Sequence, residues 1–248
     1  MQGTSTIEAP LTKEVAFVTY ESTLVKHRLQ FQEYLIPLLS DQDTKTMLLF
    51  WIYFSSQGVG MTEPVEDWIR RAGNKCKELG YQELGEQLCK HAIHEAGHQE
   101  MMIEDTKRLI DRWNKSFDPQ LEATAVLKTS PFNAVIQYQD LHENYIKSEK
   151  AYCQIAIEYE IENLSATYGS QVLGHTVKVL GEDIKHDLSF LDDHIKIDVA
   201  HTQFNKKVIS NFLTAYPETL QALINAGTQA LNIYGGFLAS CYKKAKTN

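Results

Sequence analysis

Four residues that can bind metals or move protons lie close together in the segment KHAIHEAGHQEMM. On a helix, successive residues are about 100° apart, so His91, His94, Glu95 and His98 share about one third of the surface. Two methionines continue the same face. Because charged groups on an apolar face need a partner or a metal ion, this segment predicts a chemical site.

A second cluster occurs in the segment DDHIKIDVAHTQ. His194, Asp198 and His201 fall within a stripe about 60° wide over two helical turns. Phe190 and Leu191 lie on the same face. Mixed imidazole and carboxylate ligands are the set that first-row transition metals accept. The array therefore predicts metal ligands on one helix.

The third cluster is acidic and lies in IEYEIENLSATYG. Glu158 and Glu162 share a face with small residues, whereas Glu160 points to the opposite side. Glu162 is the favoured ligand, because it lies as far before the centre of a turn predicted at 174–181 as His194 lies after it. An antiparallel helical pair would then place those two side chains at the same height.

Two metal chemistries compete for these residues. His94-Glu95-Ala96-Gly97-His98 matches H-E-x-x-H, in which two histidines bind Zn²⁺ and the glutamate is the general base of a peptidase. A peptidase of that kind also needs a sheet edge to hold its substrate, and no strand pattern is visible. The alternative pairs Glu95 with His98 and leaves His94 outside the ligand shell.

The alternative gives a set of three carboxylates and three imidazoles from three helices. Six ligands are too many for one catalytic ion with open positions, and they suit two ions that share carboxylates. Ferritin-like diiron proteins use two Glu-x-x-His repeats. This chain has one such repeat, so the ferritin-like family does not fit.

The elements that must position these residues are helices. The chain has 248 residues with only 13 glycines and 6 prolines, and apolar residues recur at helical spacing throughout. No internal repeat or linker divides it, so 1–248 is read as one all-α domain, with 1–12 as a flexible arm. The spacing predicts a bundle of seven helices, at 15–39, 43–56, 64–80, 81–114, 131–173, 183–216 and 217–244. A bend is predicted near Lys147 and a break at 201–205.

Charge and composition exclude several function classes. A net charge of −8 disfavours binding to nucleic acid. The longest apolar run, 47–54, is too short to span a bilayer, so no membrane association is predicted. No secretory signal is visible, and the four cysteines are far apart, which is typical of free thiols in the cytoplasm.

The order of the ligand residues resembles the haem-oxygenase-like diiron oxidases and oxygenases, with the match at Glu95, His98, Glu162, His194, Asp198 and His201. The resemblance implies a seven-helix haem-oxygenase-like bundle that holds the metals between its central helices. It places Glu95 and His98 on the first core helix, Glu162 on the second and the other three on the third. It also implies Fe(II), two ions per chain, with O₂ as co-substrate.

The same resemblance implies oxidation of a small molecule. An amino acid or amino-acid derivative is favoured, with oxidative C–C cleavage or decarboxylation, N-oxygenation or nitrile formation as outcomes. A fatty-acid decarboxylase of the same family is the alternative, and a zinc peptidase or a non-catalytic metal-binding bundle belongs to another class. Tyr159, Phe190 and His94 are candidate pocket residues, and Glu158 is left open as a ligand. Apart from the substrate, the expected partner is a second copy in a homodimer.

Overall fold

The computed structural model describes residues 13–248, which form ten α-helices and no strand. The predicted flexible arm lies outside the described residues. Three short 3₁₀ turns, Ala151–Cys153, Glu182–Asp187 and Pro217–Thr219, join some of the helices. The helices are α1 Lys13–Ser40, α2 Thr44–Thr62, α3 Val65–Glu78, α4 Gln82–His94, α5 His98–Ser116, α6 Ala123–Leu127, α7 Asn133–Lys147, α8 Gln154–Leu180, α9 Ser189–Ala215 and α10 Leu220–Lys246.

The all-α prediction is confirmed, but seven helices is too few for residues 13–248. The predicted helix at 81–114 is two helices, because Gly97 adopts a positive φ of 89° and ends the run. The predicted helix at 131–173 is divided at Ser148, next to the predicted bend. In contrast, α9 runs unbroken through 201–205. Two of the three additional helices arise because local turns interrupt apolar periodicities that continue on both sides. The third is the short α6, Ala123–Leu127, in a segment for which no helix is predicted.

Helix α8 lies at the centre of the bundle. All ten residues from Ala151 to Glu160 are buried, so this part of the chain is covered on every side. Helix α8 packs against α9 and α10, α1 packs against α10, and α2 packs against α5. A helix buried all round must find a partner for every charged side chain it carries. The glutamates of α8 are therefore the residues whose surroundings need explanation.

Helix α2 contains two glycines, Gly58 and Gly60, at which the sequence predicts that the helix ends. The sequence predicts an end before Gly58, but the helix continues to Thr62. A Cβ atom at Gly58 would lie 2.9 Å from the side chain of Met102, and one at Gly60 would lie 3.1 Å from Val135. These glycines allow close approach of neighbouring helices, and packing outweighs their low helix propensity.

The connection between α8 and α9 differs from the prediction and changes their register. Gly174 lies inside α8, and the chain turns only at Gly181, where φ is 95°. As a result Glu162 is level with Asn205, whose Nδ2 donates a 2.6 Å hydrogen bond to Glu162 Oε2. The predicted equal height of Glu162 and His194 is therefore wrong. Further along α8, a Cβ at Gly169 would lie 2.7 Å from Ile195.

Candidate metal centre

A tight turn between α4 and α5 brings the first ligand-type residues together. Glu95 follows the last residue of α4, and Gly97 precedes His98, the first residue of α5. His98 Nδ1 lies 2.9 Å from Glu95 Oε2. One turn back on α4, His91 Nε2 lies 3.7 Å from Glu95 Oε1. The turn therefore places one carboxylate between two imidazoles.

Helix α8 contributes two buried carboxylates on the face that looks toward this turn. Glu162 Oε1 lies 3.0 Å from His91 Nε2. Glu158 accepts a 2.6 Å hydrogen bond from Gln154 Nε2, and Gln154 in turn contacts His142 Nδ1 at 2.8 Å. These bonds fix the orientation of Glu158, since His142 is itself buried and stacked on Trp68.

Helix α9 contributes two imidazoles and a carboxylate from the third side. His201 Nδ1 lies 3.7 Å from Glu162 Oε1 and 3.8 Å from Glu95 Oε1. His194 Nδ1 is 2.7 Å from the backbone oxygen of Phe190 and donates to it, so the lone pair of Nε2 is free for a metal. Asp198 is 2 % exposed and lies between these histidines in the sequence.

A carboxylate on α5 holds the start of α9 in place. Asp105 accepts hydrogen bonds from the backbone N–H groups of Ser189 (3.0 Å) and Phe190 (2.9 Å). It is 1 % exposed and satisfies donors that the first turn of a helix leaves free. Because Asp105 and His98 share α5, this cap ties the position of His98 to that of His194.

The ligand-type atoms form three overlapping groups among the described residues, and within each group they lie within 4.8 Å of one another. Two residues belong to more than one group: Glu95 to the first and third, and Glu162 to the second and third. Shared carboxylates are what two neighbouring ions need as bridges. The groups are Glu95, His98 and His194; His91, Glu158 and Glu162; and Glu95, Glu162 and His201.

Burial and mutual repulsion shift the acidity of these carboxylates. Burial raises the pKa of Glu158 to about 8, and the negative charges of Glu95 and Glu162 add to the effect. Burial also raises the pKa of Glu162 well above its ordinary value. Burial works to raise the pKa of Glu95 as well, but the contact with His98 outweighs it and the pKa is lowered. The raised pKa values show that ionising Glu158 and Glu162 is unfavourable without a counter-charge, which a bound cation would supply.

Two buried atoms lack partners in a way that fits a metal ion. Among the described residues, neither His91 Nε2 nor Glu162 Oε1 has a hydrogen-bond partner, and their mutual orientation does not make a hydrogen bond. Buried polar atoms without partners are rare in native proteins, and an ion is one recognised cause. An imidazole nitrogen and a carboxylate oxygen are also ligands that first-row metals bind together.

A cavity of about 150 Å³ begins at this cluster and extends into the bundle. Glu95, His98, His194 and Asp198 line one end of it. No lysine or arginine of residues 13–248 lines the cavity. Glu158 and Glu162 also line it, together with Thr62, Ser165 and three tyrosines. The other lining residues are mostly apolar and include Phe31, Leu35, Phe50, Trp51, Phe54, Met61, Leu164, Val172, Phe237 and Leu238.

The structure brings five of the six predicted ligands into the three groups, and Asp198 lines the cavity outside them. Of the three predicted pocket residues, Phe190 lines the cavity and stacks on His194 with a ring separation of 3.8 Å. Tyr159 does not line it, because its hydroxyl faces α1 and donates to Glu21 at 3.1 Å. His94 does not line it either, since it is exposed at the end of α4.

Two members of the cluster are absent from the predicted ligand set. His91 shares the helix face of the first histidine cluster, and its spacing of four residues from Glu95 is the signal that points to it. Glu158 lies one turn before Glu162 on the same face, which is a similar signal. Glu160, predicted on the opposite side, lies there and binds Arg28 at 2.7 Å. Glu158 and Glu162 therefore face the ligand cluster, and Glu160 faces α1 on the opposite side of α8.

Comparison with known proteins supports the fold. No protein family profile and no curated protein matches the chain. Among solved structures, the chain is similar to a domain of unknown function with a haem oxygenase-like fold from Shewanella denitrificans OS217. The two are 17 % identical, the match covers 98 % of this chain and 95 % of that chain, and the TM-score is 0.65. The predicted haem-oxygenase-like fold is confirmed; at this identity the likeness concerns the fold alone.

Proposed function

We propose that the chain is an O₂-dependent non-haem diiron oxidase or oxygenase. The observation that supports this is the convergence of three carboxylates and four imidazoles, on four segments, beside a largely apolar cavity. Glu95, His98 and His194 are the residues that would hold one ion. Glu162 and His201, with His91 and Glu158 beside them, would hold the other, and Glu95 is the shared ligand. When bound, Fe(II) supplies electrons and open coordination positions for O₂.

The protein's own residues have three tasks in this proposal. Gln154 orients Glu158, and the Phe190 carbonyl fixes the tautomer of His194, so the ligands are preorganised. Asp105 keeps α5 and α9 in register by capping α9. The apolar lining of the cavity excludes water, which protects a reactive site from side reactions.

The lining of the cavity supports a proposal for the substrate class. An amino acid is the class favoured by the sequence, and a fatty acid is its alternative. We propose an acid with an apolar body, either an amino acid with an apolar side chain or a medium-chain fatty acid. Because no lysine or arginine lines the cavity within residues 13–248, the acid group would lie at the ligand end and the apolar body among the aromatic residues of α1, α2 and α10. Loss of the carboxyl carbon or oxidation next to it is the expected outcome.

The zinc peptidase is disfavoured by the position of His94. In H-E-x-x-H both histidines lie on one helix and bind the same ion. Here the turn at Gly97 divides the motif between α4 and α5, and His94 belongs to none of the ligand groups found in residues 13–248. A metal-binding bundle without catalysis is the remaining alternative, and O₂ consumption separates it from an oxygenase.

The test is anaerobic loading with Fe(II), followed by metal analysis and measurement of O₂ uptake. We expect two irons per chain and O₂ uptake that accelerates with leucine, phenylalanine or a medium-chain fatty acid. His98→Ala should lose iron and uptake, whereas His94→Ala is the matched control and should keep both. Saturation at one Zn²⁺ in preference to iron, or loss of all metal in His94→Ala, would refute the diiron assignment. Two irons without substrate-dependent uptake would leave a non-catalytic bundle.

A further inference from the structure

The outward face of α1 is unusually apolar. Nine large hydrophobic side chains of the described residues are exposed, and five of them lie on α1. Their exposed fractions range from 44 % for Val15 to 64 % for Val18. Single exposed apolar residues are ordinary, but a contiguous patch marks an interaction surface. The five are Val15, Val18, Val25, Leu29 and Ile36.

These side chains form a straight stripe along the helix. Val18, Val25, Leu29 and Ile36 fall within about 40° of one another, since each residue turns the helix by about 100°. The face that packs into the bundle, which includes Tyr20, lies on the opposite side. Helix α1 therefore has two apolar faces, of which only one is covered by the described residues.

The stripe has the spacing of a coiled-coil seam. Its positions are 18, 22, 25, 29, 32 and 36, with alternating steps of four and three residues. This is the heptad spacing at which two helices pack side by side. Four positions are apolar, and the two others are Ser22 and Gln32, which are exposed. An exposed heptad seam of this length fits another helix with the same spacing.

We propose that this seam binds the same seam of a second copy, with the two α1 helices antiparallel. The order of side chains along the seam is apolar, polar, apolar, apolar, polar, apolar, and it reads the same from either end. A twofold axis perpendicular to α1 requires that order, because each position then meets the position equally far from the other end.

The pairs across such an interface are matched in polarity. Val18 meets the partner's Ile36, and Val25 meets the partner's Leu29. Ser22 meets the partner's Gln32, so the polar side chains meet each other and can hydrogen-bond. The six positions span about 27 Å of helix.

The charges beside the seam do not favour a parallel pair. In a parallel coiled coil, charged residues flanking the seam form the bonds that set the orientation. Here the flanking Glu21 and Arg28 are already paired with each other at 3.0 Å, and Arg28 also binds the buried Glu160 at 2.7 Å. Lys26 and Glu33 flank the seam on its other side and would face Glu21 and Arg28 of a parallel partner. Because Glu21 and Arg28 are bound within one chain, these cross-chain pairs are weakened, and the symmetric order of the seam is the feature that favours the antiparallel orientation.

The proposal is independent of the metal centre and is tested by the mass of the protein in solution. Sedimentation velocity of the full chain should show a dimer of 28.3 kDa subunits. The dissociation constant of the dimer should lie between about 1 and 200 μM, as expected for a small interface. Val25→Glu should weaken it by about 100-fold or more, because two unpaired carboxylates per dimer would meet apolar partners. Ile136→Glu, an equally exposed site on α7, is the matched control and should leave it unchanged.

The antiparallel register is tested by mixing two variants. Val25→Glu and Leu29→Lys should each be monomeric alone. When mixed they should form a heterodimer, since the new carboxylate of one chain meets the new ammonium of the other. Circular dichroism confirms that both variants are folded. A wild-type chain that stays monomeric at about 200 μM overturns the proposal. Failure of the two variants to associate when mixed also overturns it. Binding of the monomer to phosphatidylcholine vesicles would overturn it too, because the seam would then be a membrane-binding surface.

Discussion

In the metal-free protein, Glu158→Gln should remove part of the fall in the free energy of unfolding that accompanies a rise in pH. Burial raises the pKa of Glu158 to about 8, against an ordinary value near 4.5. Between these two values the folded chain binds a proton at this position that the unfolded chain has released. The free energy of unfolding of the metal-free protein therefore falls as the pH rises. Glutamine cannot titrate, so the variant lacks this contribution.

The size of the effect follows from the linkage relation. Each pH unit between the two pKa values costs about 1.4 kcal/mol for one bound proton. From about pH 6.5 to pH 8 the contribution of Glu158 is about 2 kcal/mol. Over this interval the buried His142, whose pKa is lowered to about 3, stays neutral in the folded chain, and the unfolded chain loses about half a proton at this histidine. Both proteins share this contribution, so it cancels in their difference. The raised pKa of Glu162 acts in the same direction, and the variant retains Glu162.

The assay is urea denaturation of chelator-treated protein at about pH 6.5 and pH 8, an interval over which one titrating group contributes measurably. The wild type should lose about 2 kcal/mol more than Glu158→Gln over this interval. Bound metal should remove the fall in the wild type, because it keeps the carboxylates ionised at both pH values. Equal pH dependence in the two metal-free proteins would show that Glu158 is ionised in the fold, and the argument from burial would fail.

Two further predictions concern the scaffold around the cluster. His142→Gln should make the fold more resistant to acid. Wild-type His142 is held neutral in the fold, whereas the unfolded chain gains a proton there as the pH falls below about 6.5. At pH 5 this costs the wild type about 2 kcal/mol of unfolding free energy, measured by urea denaturation, that the variant does not lose. An equal acid sensitivity in both proteins would contradict it. Gly85→Ala should lower the free energy of unfolding by about 2 kcal/mol, since its Cβ would lie 2.4 Å from the Gly73 oxygen. Gly174→Ala, with nothing within 4 Å, is the control and should be neutral or stabilising.

Ligand types were easier to predict than ligand heights. Residue type and spacing along the chain single out Glu95 with His98 and, separately, His194 with His201, because spacing within one segment depends only on local geometry. The height of one helix relative to another depends on where the chain turns. A glycine at 174 looks like a turn, yet α8 continues through it to Leu180. The resulting shift pairs Glu162 with His201 instead of His194.

The cavity could not be predicted because its lining is distributed over the chain. Phe31, Trp51 and Phe237 lie on α1, α2 and α10, far apart in sequence, and each has the apolar spacing of an ordinary core residue. Nothing local distinguishes a side chain that fills the core from one that borders a cavity, since both are buried and apolar. Tyr159 shows the reverse case, because it is aromatic and near the ligands but faces α1.

The break between α4 and α5 explains why the segment His94–His98 does not have the geometry of a zinc-peptidase motif and still contributes to the candidate metal cluster. On a continuous helix, His94 and His98 would lie one turn apart on one face and could bind a single ion. Gly97, in a left-handed conformation, separates them, so His94 turns to solvent. Glu95 then lies in the turn itself, between His91 on one helix and His98 on the next. In the turn, the Glu95 carboxylate contacts the imidazoles of both helices. A residue in the middle of a straight helix has neighbours on one helix face only. In the proposed diiron site, the turn, more than the spacing of the motif, would favour two ions that share Glu95 over a single ion.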